Sequence, residues 1–152
     1  MLRDRPVRSA QADARSLGLD VIVVYARNAA ELERAFEVSV QEAASGMVIG
    51  SNGLFVDPTQ TVGLMSRYRL PTVSVWDRFA KAGGLVSYGT DEAANYRLVG
   101  NYAGRILKGE KPADIPVQQA TRTKLVVNLK TAKALGLTAP TSLLVRADEV
   151  LD

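Results

Sequence analysis

The chain has 152 residues, of which 47% are apolar and 23% charged, and this composition is typical of a single globular domain. Its lysines and arginines are spread among acidic residues and leave a formal net charge of only +3, so we expect no nucleic-acid partner. The absence of cysteine and histidine excludes disulfides, thiol nucleophiles, imidazole catalysis and the common zinc ligands. The sequence has no apolar run of the ~20 residues that a membrane-spanning helix needs.

The first elements alternate between helix and strand. A helix over residues 7–17 is predicted to end at Gly18, because glycine tolerates the left-handed conformation that closes helices. In the segment 20–25 every residue after Asp20 is apolar and most are β-branched, which predicts a parallel strand covered on both faces. Asn28 and Glu31 then have the spacing of a capping box, so a second helix begins there.

The same alternation continues through the middle of the chain. It predicts strands over residues 46–50, 71–76 and 84–88, and a long helix capped by Asp91 that ends at Lys108. Strands and helices at this spacing favour an α/β fold, with a Rossmann-like, mostly parallel sheet and helices on both faces.

The C-terminal part begins with a segment rich in proline and without periodicity, residues 111–122, which we interpret as a linker. A strand over 124–128 and a short helix over 129–135 are predicted to follow. Pro140 precedes a last apolar segment, for which we predict a helix over 141–151.

Ligands of open parallel sheets bind beyond the carboxyl ends of the strands, where loops and helix starts bring polar groups together. Aromatic, hydroxyl, amide and carboxylate groups stand at these positions and suit a small zwitterionic or amide-bearing ligand. Each has a structural alternative: packing for the tryptophan, turn formation for the serine and asparagine, and helix capping for the last aspartate. The candidate residues are Ser51, Asn52, Trp76, Asp77, Ser87, Tyr88 and Asp91.

Several segments carry a resemblance to a known family. They read GGLVSYG at 83–89, GRILKG at 104–109, KPADIP at 111–116, KLVVNLKTAKALGL at 124–137 and RADEV at 146–150. Through them, nearly the whole chain from about residue 7 resembles the ABC-transporter substrate-binding proteins of the tryptophan/tyrosine-binding type.

The resemblance implies the type I periplasmic-binding-protein fold, in which two Rossmann-like lobes close on a ligand. It implies that residues 1–90 form the C-terminal lobe and that the helix within 91–110 packs on an N-terminal lobe missing from this sequence. Residues 111–152 would then be a returning linker, strand and C-terminal helices. It also places the ligand-facing loops at the candidate residues named above.

The implied function is that of the solute-binding component of an ABC importer, truncated here and specific for a small organic solute such as an aromatic amino acid. The implied partner of a full-length parent is an ABC permease in the periplasm; the charged start of this chain contains no signal peptide. No catalytic constellation, cofactor motif or metal cluster is present, so we expect no enzyme, cofactor or metal.

The long helix carries an apolar stripe whose exposure would favour a homo-oligomer, most simply a dimer. Two alternatives to solute capture stay open: a ligand-sensing effector domain of a regulator, and an oligomeric remnant that binds nothing. The residues of the stripe are Ala94, Leu98, Tyr102, Ile106 and Leu107.

Overall fold

The structure is a computed structural model that describes residues 4–50, 57–118 and 122–152. Seven α-helices, one 3-10 helix at Pro112–Asp114 and five strands are present in these ranges. The helices are α1 Asp4–Ser16, α2 Ala29–Gln41, α3 Thr59–Tyr68, α4 Asp77–Lys81, α5 Glu92–Leu107, α6 Leu129–Ala134 and α7 Thr141–Leu144. The strands are β1 Met47–Ile49, β2 Thr72–Ser74, β3 Val86–Thr90, β4 Thr123–Asn128 and β5 Glu149–Leu151.

The strands form one sheet in the order β1-β2-β3-β4-β5. Three of its four pairings are parallel, and only β3 and β4 run antiparallel. Helices flank this mostly parallel sheet, which confirms the predicted α/β fold class. No helix in the described ranges is long and apolar enough to cross a membrane.

The hydrophobic core joins α2, α3, α4 and α6. Phe36 of α2 lies at its centre and stacks against Tyr68 of α3 with the ring centroids 6.1 Å apart. Phe79 brings α4 into the same cluster, and α4 contacts the three middle strands of the sheet. The core therefore fixes the position of α4, which begins directly after the end of β2.

Register shows which side chains share a face of the sheet. Ser74, Ser87 and Val126 are direct neighbours across β2, β3 and β4, and all three are buried. Tyr88 follows Ser87 in β3 and pairs with Leu125, so the side chains of Tyr88 and Leu125 point to the opposite face.

The strand predicted over residues 20–25 is absent from the structure. These residues run as an irregular segment, in which Val21, Ile22 and Tyr25 are exposed. An extended apolar run becomes a strand only where a neighbouring backbone accepts its hydrogen bonds, and the sheet of the described residues begins at β1.

The helix predicted over residues 141–151 is also wrong. It ends after one turn at Leu144, and Glu149–Leu151 form β5, which pairs in parallel with β4. The backbone N–H of Asp148 donates to the carbonyl of Leu125, and its carboxylate accepts from the Leu125 N–H. This two-way contact brings the chain alongside β4.

Candidate ligand-binding site

The carboxyl ends of β1, β2 and β3 lie at one edge of the sheet because these strands are parallel. Strand β4 begins at the same edge, since its antiparallel pairing sets Thr123 opposite Thr90. We call this edge the rim and define it by residues 76–78, 90–92 and 122–124. The residues of the rim come from three separate parts of the chain.

Trp76 links β2 to α4 and has a half-buried side chain. The guanidinium of Arg78 lies over its ring, 5.1 Å from the centroid. Its indole Nε1 is buried and has no hydrogen-bond partner among the described residues. A buried N–H without an acceptor is costly, so this group is a ready donor for an acceptor that arrives with a ligand.

Arg78 is held by the first turn of α5. One of its nitrogens donates to both carboxylate oxygens of Glu92, at 2.8 and 2.7 Å. This ion pair joins the start of α4 to the start of α5. It therefore fixes the cation that covers the face of Trp76.

Asp77 belongs to a closed ring of four charges. Its carboxylate lies 2.9 Å from the Lys81 ammonium and 3.8 Å from that of Lys124. Glu149 closes the ring at 2.7 Å from Lys124 and 3.6 Å from Lys81. Partial burial acts to raise the pKa of Asp77, but the hydrogen bond from Lys81 and the charges of both lysines lower it overall.

Asp91 caps α5, as the capping interpretation expects. Its carboxylate accepts from the Ala94 N–H at 3.0 Å and lies 3.2 Å from the Arg122 guanidinium. Its own N–H donates to the Arg122 carbonyl. The hydrogen bond from Ala94 lowers the pKa of Asp91, burial opposes this effect, and the charge of Arg122 adds to it.

Ser87 and Tyr88 lie inside β3, which runs two residues beyond its predicted end because β4 continues the pairing to Thr90. Adjacent strand residues point to opposite faces. Accordingly Tyr88 is 55% exposed and Ser87 only 1%. Two further candidates, Ser51 and Asn52, lie outside the described residues.

The rim thus brings together Trp76, Asp77 and Asp91, with Tyr88 on the neighbouring strand. Within the described ranges, no group of acidic side chains is arranged to hold a metal ion. The side chains of the rim offer an aromatic surface, hydrogen-bonding groups and paired charges, and groups of these kinds bind small molecules.

Residues 4–151 match the family described as ABC transporter substrate binding protein. The chain belongs to this family. Its members are non-enzymatic in general and typically extracytoplasmic. No curated protein matched the chain.

Three solved structures resemble this chain. An ABC domain from Streptococcus pneumonia in complex with L-Trp is 25% identical, has a TM-score of 0.83, and is matched over 98% of this chain and 52% of its own. A conserved domain protein from Vibrio cholerae is 20% identical, with a TM-score of 0.83 and coverages of 96% and 49%.

The third is a substrate-binding protein with adhesive properties from Clostridium difficile in a ligand-free, open structure. It is 19% identical, with a TM-score of 0.66 and coverages of 99% and 50%. The present chain therefore spans about half the length of the solved structures that it matches.

The sequence predicts only some of the ion pairs made by the candidate residues. Lys81 follows Asp77 by four positions within a helix, so this ion pair could have been predicted from spacing. Lys124 and Glu149 have no such local signal, because only the pairing of β3, β4 and β5 brings them to Asp77.

Ser87→Ala should stabilise the protein by about 1 kcal/mol, since it removes a buried hydroxyl that has no hydrogen-bond partner among the described residues. Ser74→Ala is the matched control on the neighbouring strand. The Ser74 hydroxyl accepts from the Trp76 N–H at 3.4 Å, so its loss should lower stability. Urea unfolding monitored by circular dichroism measures the free energy of unfolding of both variants. An equal loss of stability in the two variants would show that the Ser87 hydroxyl has a hydrogen-bond partner.

Proposed function

We propose that this chain supplies one wall of the ligand site of an ABC importer's solute-binding component, and that its rim contacts a small aromatic amino acid. The observation that carries the proposal is the buried indole Nε1 of Trp76, which has no partner among the described residues although it lies at the edge where ligands of such sheets bind. A ligand carboxylate or carbonyl would satisfy it.

The surroundings of Trp76 suit an amino acid. Its ring offers an apolar surface for an aromatic side chain, and the Arg78 guanidinium over that ring adds positive charge near the ligand carboxylate. Asp77 and Asp91 supply carboxylates for the ligand ammonium. Support also comes from the structure of the S. pneumonia domain, which contains L-Trp and matches 98% of this chain.

The remaining candidates complete the proposed site. Tyr88 adds an exposed ring and hydroxyl from β3, whereas Ser87 is buried on the opposite face of that strand and, in this proposal, supports the site from behind it. Ser51 and Asn52 follow β1 in sequence and are the last two members of the proposed site. Together they make a site of mixed aromatic and polar character.

We further propose that the complete site needs a second lobe. Residues 1–90 would then be the C-terminal lobe, residues 91–110 would pack on the other lobe, and 111–152 would return from it. A periplasmic location and an ABC permease as partner belong to that longer protein. A rim that covers the ligand on one side removes less apolar surface from water than a site closed by two lobes. We therefore expect this chain alone to bind with roughly millimolar affinity.

The long helix α5 supports both a lobe contact and self-association, since none of its residues is buried. Tyr102 of the predicted stripe is half-buried, and its hydroxyl donates to the Pro116 carbonyl. The most exposed apolar side chains of α5 are Tyr96, Val99 and Leu107, of which only Leu107 belongs to the predicted stripe. We propose that this face packs against a second copy when the chain is alone, giving a dimer.

Trp76→Ala tests the proposal directly. Saturation-transfer NMR with millimolar L-tryptophan should show saturable binding to the unchanged chain and at least tenfold weaker binding to the variant, because the variant lacks both the stacking surface and the indole donor. Tyr25→Ala is the control, since it removes another aromatic ring, which is 70% exposed and lies outside the rim. Equal binding by Trp76→Ala and the unchanged chain would contradict the proposed site.

A further inference from the structure

The acidic side chains along the rim are each paired with a cation. Asp91 lies 3.2 Å from Arg122, and Glu92 lies 2.7 Å from Arg78. Asp77 and Glu149 share the two lysines of the charge ring. Four acids thus face four bases, and these groups of the rim, together with the neighbouring Lys81 and Glu149, have no net charge.

The charge ring contains the carboxylate that the proposed site offers to a ligand ammonium. Asp77 is about 30% exposed, so a ligand can reach it, yet Lys81 and Lys124 both lie within 4 Å of the same oxygen. Lys124 comes from β4 and is itself held at 2.7 Å by Glu149. Strand β4, through Lys124, therefore determines how much negative charge Asp77 presents to a ligand.

Electrostatics then distinguishes ligands by their net charge. An amine without a carboxylate meets the attraction of Asp77 together with the repulsion of two nearby ammonium groups. A zwitterion places its own carboxylate near these cations and so compensates for the repulsion. A charge-balanced rim consequently favours ligands whose own charges sum to zero.

We infer that Lys124, together with Lys81, is a specificity-determining residue that makes the rim select zwitterionic amino acids over amines of net positive charge. This inference rests on the proposed function and adds to it a residue outside the candidate set. Lys124 acts through Asp77, so its effect appears in the preference between ligands.

The experiment compares L-tryptophan with tryptamine, which has the same indole and ammonium but lacks the carboxylate. Dissociation constants are measured by saturation-transfer NMR at low ionic strength, where surface charges are least screened. Lys124→Gln should lower the ratio of the tryptamine dissociation constant to the L-tryptophan dissociation constant by about threefold or more. The reason is that the rim then carries one uncompensated negative charge.

The matched control is the double variant Lys124→Gln/Glu149→Gln, which removes one charge of each sign and should restore the original ratio. Lys81→Gln should shift the ratio in the same direction as Lys124→Gln, and it keeps the test decidable if Lys124→Gln does not fold. An unchanged ratio in both single variants would overturn the inference, as would an equal shift in the double variant. Absence of L-tryptophan binding to the unchanged chain would instead contradict the proposed function.

Discussion

Gly89→Ala should lower the free energy of unfolding by about 3 kcal/mol and displace the rim, because β3 passes directly over the backbone that precedes Trp76. A Cβ at position 89 would overlap the carbonyl oxygen of Val75 and lie 2.8 Å from its carbonyl carbon. Backbone atoms cannot rotate away as a flexible side chain can. Urea unfolding, monitored by circular dichroism and by the fluorescence of the single tryptophan, measures both effects.

Gly100→Ala is the matched control for this substitution. Gly100 lies within α5, and a Cβ there meets no atom within 4 Å. Because glycine is less favourable than alanine within a helix, this variant should be unchanged or more stable by about 0.5–1 kcal/mol. Similar losses for both alanine variants would contradict the close approach of β3 to Val75.

Phe36→Ala should destabilise the protein by about 4 kcal/mol, through lost burial and the cavity that remains. Phe36 is 0% exposed, belongs to the central cluster and stacks on Tyr68. Tyr68 also donates from its hydroxyl to Glu37, so the neighbouring ring is held and cannot easily fill the space. Chemical denaturation gives the difference in unfolding free energy.

Tyr25→Ala is the corresponding control for a large aromatic truncation. Because its ring is 70% exposed, its loss should change stability by no more than about 0.5 kcal/mol. A loss at position 36 as small as that at position 25 would show that the core is not organised around Phe36.

Local signals in the sequence identified the helix starts. Asn28 accepts from the Glu31 N–H, and Asp91 accepts from the Ala94 N–H, as their spacing predicts. Each signal involves residues of one turn, so it does not depend on the rest of the fold. Gly18, Gly109 and Gly136 likewise take positive φ after helices, where the sequence predicts helix ends.

Signals of strand pairing were weaker because pairing depends on residues far apart. The apolar run at 20–25 has the composition of a central strand, but composition contains no information about its partner. Glu149–Leu151 has too few residues to show a strand period, and it joins the sheet through the contact of Asp148 with Leu125.

The sequence predicts only part of the candidate site, because the rest depends on pairing between residues far apart in the chain. The strand-end rule placed Trp76 and Asp77 at the carboxyl edge, because it needs only the order of strands and helices. It places Ser87 and Tyr88 at the exit of a strand predicted to end at residue 88, whereas the pairing with β4 continues that strand to Thr90. The pairing of Asp77 with Lys124 depends on the antiparallel register, which no local pattern encodes.

Ligand binding at the rim is tested most directly by titration with unlabelled L-tryptophan. The titration follows the nitrogen–proton correlation signal of the Trp76 indole. The chain has one tryptophan, so this region of the spectrum contains a single side-chain signal. We expect a saturable downfield shift of this signal at millimolar ligand, because Nε1 gains an acceptor, together with shifts at Asp77 and Asp91. An indole signal that stays constant while other residues respond would contradict binding at the rim.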